Sequence, residues 1–166
     1  MSTQLLAGSP SVPASVRSAA SLWFIAVGTG AFESALAVAD LLARGTASAT
    51  GLAGGLGLRL AVFAGAILLA VRLRQGRGWA RVALALTLGI FGTLSLVVEP
   101  VRWLMAGNSI LGFFADADLM TLAFVLSRVV HLTAVLAAMA LMFSPAANAY
   151  FRDIRSGLSP APGETA

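Results

Sequence analysis

LMTLAFVLSRVVHLTAVLAAMALMF, Leu119 to Phe143, decides the fold. At 1.5 Å per residue it is long enough to cross a hydrocarbon core of ~30 Å as a helix. It does not alternate in polarity as a barrel strand would, and in lipid a helix satisfies its own backbone hydrogen bonds. Yet it carries Arg128 and His131 near its middle, one turn apart on one face. A lone arginine at mid-membrane costs ~2.5–3.5 kcal/mol on insertion scales. Such a helix needs neighbours that bury that face and pair its charge.

Three further apolar runs supply them: Ala19 to Leu42, roughly Leu52 to Val71, and Ala80 to Val98. Gly and Pro punctuate their ends, in GTASATGLAGGLG before the second run, Glu99-Pro100 after the third and Ser144-Pro145 after the fourth. The expected fold is an all-α transmembrane four-helix bundle over residues 19–143. Residues 1–18, rich in Ser, Pro and Ala, read as a disordered tail, and residues 144–166 as an interfacial segment and C-terminal tail. Composition agrees: 58% of the 166 residues are hydrophobic and 11% charged, against about 25% in soluble domains.

For the first run a cleavable signal peptide is the competing reading, with Arg17, an apolar stretch and a cleavage-like Ala35-Leu36-Ala37. Glu33 just before that site, and the continuation to Leu42, favour a retained span.

The arginines set the orientation. Lysine is absent, so all eleven basic residues are arginine. Arg17, then Arg72, Arg74, Arg77 and Arg81, then Arg152 and Arg155 share one side of a four-span chain, with only Arg44 and Arg102 opposite. The positive-inside rule then places both termini in the cytoplasm of a bacterium. The net charge of +4 sits at the ends of apolar runs and not on one polar face, which argues against a nucleic-acid partner. In the loop RLRQGRGWAR, Arg72, Arg74, Arg77 and Arg81 are candidate contacts for anionic phospholipid headgroups, with Trp79 as the interfacial anchor. The same arginines serve equally as plain topology determinants.

The segment EPVRWLMAGNSILGFFADAD joins the third and fourth spans, and its Trp103, Leu104, Phe113 and Phe114 point to a short interfacial or re-entrant helix over the outer mouth. Asp116 or Asp118 is placed to cap the fourth helix, where a carboxylate suits free amides and the helix dipole. In SPAANAYFRDIR, Tyr150 and Phe151 are expected at headgroup level, with Arg152 and Arg155 facing phosphates.

Counting inward from the outer ends, Glu33 and Arg128 each lie nine residues deep, ~13 Å below the boundary. His131 follows one turn deeper. Arg59 falls between Glu33 and Asp40 in depth, and Glu33 and Asp40, seven apart, share one face. Glu33, Asp40, Arg59, Arg128 and His131 are therefore expected to form a buried polar cluster in the outer half, with Glu99 near its rim. Ion pairs there would fix helix register; a proton or ion path, or a ligand pocket, is the functional alternative. Small residues four apart, including Ala26, Gly30 and Ser34, Ala61 and Gly65, Ala85 and Gly89, Ala134 and Ala138, would let backbones approach, within the chain or in a homo-oligomer.

No catalytic motif stands out: HExxH, GxSxG and the P-loop are absent, and GLAGGLG resembles a phosphate loop only in glycine content. Cysteine is absent, which removes disulfides, thiolate catalysis and cysteine metal sites. No cofactor and no metal is expected. GRGWAR after the second span and FSPAANAYFR after the fourth resemble small, largely uncharacterised four-span integral membrane proteins common in actinobacterial genomes, and the GC-rich composition agrees. That resemblance implies no function and no site residues. The expectation is a non-enzymatic accessory or interaction subunit of a larger membrane assembly. The alternative is a small transporter or proton-handling protein, which a polar cavity among the clustered charges would favour over a dry centre.

Overall fold

The structure, a computed structural model, describes residues 11–45 and 48–156. The elements are α1 (Ala14–Ala43), α2 (Ala49–Arg74), α3 (Gly78–Leu84), a π-helical segment (Ala85–Gly92), α4 (Thr93–Met105), α5 (Ile110–Ala115), α6 (Leu119–Met142) and α7 (Pro145–Ser156). α3, the π segment and α4 run on as one span, Gly78–Met105. That span, α1, α2 and α6 are each long and apolar enough to cross a membrane, and no strand occurs among the described residues. The chain is a multi-pass helical membrane protein.

Three of the four spans are longer than their apolar runs, and α6 matches its run to within one residue. Ala14 to Ser18, read as tail, are the first residues of α1, and Val16 there is fully buried. α2 begins at Ala49 because the Ser48 hydroxyl accepts from the Gly51 amide at 3.1 Å. The third span does not stop at Glu99-Pro100 but passes through it to Met105. Proline removes one backbone donor and crowds the carbonyl four residues back, yet apolar residues resume at Val101, and a span in lipid gains by keeping its remaining bonds internal. The expected disorder of residues 1–10 and the tail beyond Ser156 lie outside the described residues.

α1 and α6 are the most intimate pair. Ala26, Gly30 and Ser34 on α1, and Ala134 and Ala138 on α6, are all buried, so the small side chains do bring these backbones together. Gly89 of the π segment is buried with Met139 of α6 lying against it. The row on α2 behaves differently: Ala61 is exposed and Gly65 only half-buried. α2 packs along α1 but meets the third span chiefly at α3, beside the connecting turn. Away from that turn, α2 and the third span diverge.

At the arginine-rich end the bundle is closed. Trp23, Leu73, Leu84, Met142 and Val16 are the largest fully buried side chains. α7 seals this end with Ala147, Tyr150 and Phe151, which are buried against the helices. Burial raises the Tyr150 phenol above its ordinary range. The bundle end offers α7 an apolar surface, and the apolar face of α7 covers it. Gly76 takes φ +76° in the α2–α3 turn, with Tyr150 and Ile154 packed where a side chain would stand. At the opposite end α5 is a short exposed helix, and Trp103 and Phe113 meet edge-to-face at 5.7 Å. Asp118 caps α6 by accepting from the Thr121 amide at 2.8 Å, and this hydrogen bonding holds its carboxyl below the ordinary range.

Candidate functional site

Because α2 and the third span diverge, a half-open cleft of about 380 Å³ remains, with α1 and α6 as its floor. All four spans line it, and Glu33, Arg59, Arg128 and His131 are among the lining residues. Of the five residues expected to form a buried polar cluster, Glu33, Arg128 and His131 come together, and Arg59 borders the same cleft with an exposed side chain.

Glu33 is the innermost charge, 8% exposed. Its Oε1 accepts from the Ser127 hydroxyl at 3.4 Å. Arg128 Nε stands 3.9 Å from Oε2, and His131 Nδ1 stands 3.9 Å from Oε1. Both gaps are longer than a hydrogen bond, so attraction is felt without a bond being made. Neither Arg128 Nε nor His131 Nδ1 has a hydrogen-bond partner, and both are shielded from solvent. The Phe124 ring lies 5.0 Å from the Arg128 guanidinium carbon and offers its π face to the cation. Gly30 makes the geometry possible. A Cβ there would come within 3.1 Å of the Phe63 ring and 3.3 Å of the His131 ring, so both rings occupy space that any side chain would claim.

Asp40 does not join the cluster. Its carboxylate accepts from Arg44 Nε at 2.8 Å in an exposed i,i+4 pair, and this partner raises the arginine's pKa above its ordinary value. Helical neighbours four apart meet without any tertiary constraint, so the local partner prevails over the distant one. Glu99 is exposed on α4 and stands away from the cleft lining. Arg59 reaches the cleft wall from α2 with an exposed side chain.

Ser127, Phe124, Phe63 and Trp23 belong to the site and were not singled out by sequence. Helical spacing carried the signal for two of them: Phe124, Ser127 and His131 follow at steps of three and four on one face of α6. Nothing in the sequence pointed to Phe63, which depends on how α2 leans.

The loop residues divide. Arg72, Arg74, Arg77 and Trp79 are exposed, as headgroup contacts require. Arg81 is turned into the protein instead, donating to the Met142 carbonyl at 3.3 Å and to Asn148 Oδ1 at 2.6 Å. The two short motifs GRGWAR and FSPAANAYFR thus meet through this side chain as well as at Gly76. Among the described residues no group of three His, Cys, Asp or Glu gathers to hold a metal ion.

No family model, no curated protein and no solved structure matches this chain.

Proposed function

We propose that this is a non-enzymatic protein of the bacterial cytoplasmic membrane that handles a proton or ion, together with a polar ligand, in the cleft between its helices. One observation carries the proposal: a buried carboxylate, Glu33, lies between His131 and Arg128 in a cleft that is open and not filled. Ion pairs serving only to fix register would close to hydrogen-bonding distance and satisfy one another. These stop at 3.9 Å and leave donors unused beside free volume. Ionisable groups are costly within the bilayer and mark pathways or ligand sites by default, and an imidazole beside a carboxylate is a pair that can pass a proton.

Vesicles reconstituted with the protein and loaded with a pH-sensitive dye test this reading. With potassium and valinomycin setting the potential, wild-type vesicles should acidify several-fold faster than empty ones, and Glu33→Gln should return the rate to the empty-vesicle value. Wild-type vesicles no faster than empty ones would remove the proposal. An interaction subunit is the second reading, supported by the outer half of α2, where Gly54 through Val62 are all exposed. Copurification of a stoichiometric partner in mild detergent would establish it.

Both termini belong on the cytoplasmic side in this proposal, because seven arginines mark that side and two the other. Reporter fusions at residues 1 and 166 should be active only in the cytoplasmic format. A periplasmic signal at either end would overturn the orientation.

A further inference from the structure

We infer that the cleft is a lateral binding site for an amphiphile whose headgroup is a single oxyanion, a phosphate or a carboxylate. This deepens the ligand-handling reading above and rests on its cleft, though not on proton movement.

Charge is the first observation. The ionisable side chains lining the cleft are Arg59, Arg128, Glu33 and His131, which gives a formal excess of one positive charge with the imidazole neutral. Neither guanidinium makes a hydrogen bond to the protein among the described residues, and the Arg128 side chain remains 29% exposed. Arginine is donor only, and its planar fork matches carboxylate or phosphate oxygens two at a time. Glu33 is the sole carboxylate of the lining, and it has not engaged either fork at bonding distance. The lining is net positive and its guanidinium groups are donors only, so an anionic acceptor complements it.

The second observation is the direction of the opening. The gap lies between α2 and the third span, which meet mainly at α3, so it faces hydrocarbon sideways and not only the aqueous end. Its lip carries the exposed apolar side chain of Val62 on α2. A free inorganic anion would have to cross that lip unsolvated; an acyl or prenyl chain crosses it readily.

The third is polarity along the cleft. Arg59, Glu33 and Arg128 lie towards the end remote from the arginine-rich turn. One and a half to three turns further in, the lining becomes apolar, with Trp23, Ala66, Leu88 and Val135. Trp23 lies ten residues from Glu33 on α1, ~15 Å along the axis. A headgroup among Arg59 and Arg128 with a chain lying along Trp23, Ala66, Leu88 and Val135 would match this polarity, as an amphiphile does. The volume, about 380 Å³, suits a headgroup with the first part of one chain and not a two-chain lipid entire.

Trp23 provides the test. The chain has three tryptophans, so Trp79→Phe with Trp103→Phe leaves Trp23 as sole reporter at the inner end of the cleft. The protein in a neutral maltoside detergent is titrated with 9,10-dibromostearate, whose bromines quench indole on contact. Saturable quenching is expected, with the matched dibromo-octadecanol giving none that saturates. Arg128→Gln and Arg59→Gln should each weaken the apparent affinity at least tenfold; Arg59, with its exposed side chain, keeps the test readable if Arg128→Gln fails to fold. Equal quenching by the neutral alcohol, or unchanged affinity in Arg59→Gln, overturns the inference. Displacement by inorganic phosphate as readily as by unlabelled stearate assigns the site to a free anion and overturns the amphiphile. Binding without proton flux would leave this inference standing and remove only the proton-handling reading; flux without binding would do the reverse.

Discussion

Glu33→Gln is expected to destabilise the folded bundle by about 1–3 kcal/mol, Arg128→Gln by a similar or smaller amount, and the double variant by less than the sum. Glu33 is the only carboxylate facing Arg59, Arg128 and His131 in the cleft. Without it, two guanidinium groups share a poorly hydrated space with nothing to offset them. Breaking a buried ion pair costs ~3–5 kcal/mol in soluble proteins, because the remaining charge is uncompensated. Three features place the expected value lower. The pair stands 3.9 Å apart without a hydrogen bond, and the Arg128 side chain keeps 29% of its exposure. In membranes the unfolded reference state also finds substitute partners, so measured couplings run nearer ~0.6 kcal/mol. Asp40 is held by Arg44 and does not stand in. Equilibrium unfolding in mild detergent of wild type, both single variants and the double variant gives the coupling directly. Strict additivity would mean that Glu33 and Arg128 do not interact.

What the sequence made legible was the part governed by hydrophobicity and helical period. Run lengths near 20 residues, with Gly and Pro at their ends, were enough for four spans and their order. Equal depth was enough to bring Glu33 and Arg128 together, because rise per residue is fixed once a helix is assumed. Three things were hidden for physical reasons. Asp40 was assigned to the cluster on face and depth, but the local i,i+4 partner Arg44 competes more effectively than any residue on another helix. Pro100 read as a stop, although lipid gives an apolar segment no better option than to stay helical. The cleft itself depends on the lean of α2 away from the π segment. No local pattern encodes that lean, and no pattern therefore announced Phe63 or the lateral opening.

Arg81→Ala is expected to loosen α7 from the bundle and to cost about 2 kcal/mol, whereas Arg81→Lys recovers less than half of the loss. Arg81 joins three segments at once. Its guanidinium donates to the Met142 carbonyl at the end of α6 and to Asn148 Oδ1 in α7, at 3.3 Å and 2.6 Å. It also lies 4.9 Å from the ring centres of Phe143 and Phe151. A charged hydrogen bond contributes about 1.5–3 kcal/mol and a cation–π contact about 0.5–1 kcal/mol, but the Asn148 contact is exposed, which brings the total down. Both acceptors bond one arginine nitrogen, Nη1, so lysine can restore the charge and part of the hydrogen bonding, but without the planar guanidinium it lies flat on neither ring. Hydrogen exchange across Pro145–Ser156 should rise in Arg81→Ala while the spans keep their protection. Unchanged exchange in α7 would show that Tyr150 and Phe151 hold it unaided, and full recovery by lysine would reduce Arg81 to a simple charge. Neutralising the exposed Arg72, Arg74 and Arg77 together supplies the contrast. It should leave exchange in α7 untouched and alter orientation or acidic-lipid retention instead, separating the arginine that holds the fold from those that face the membrane surface.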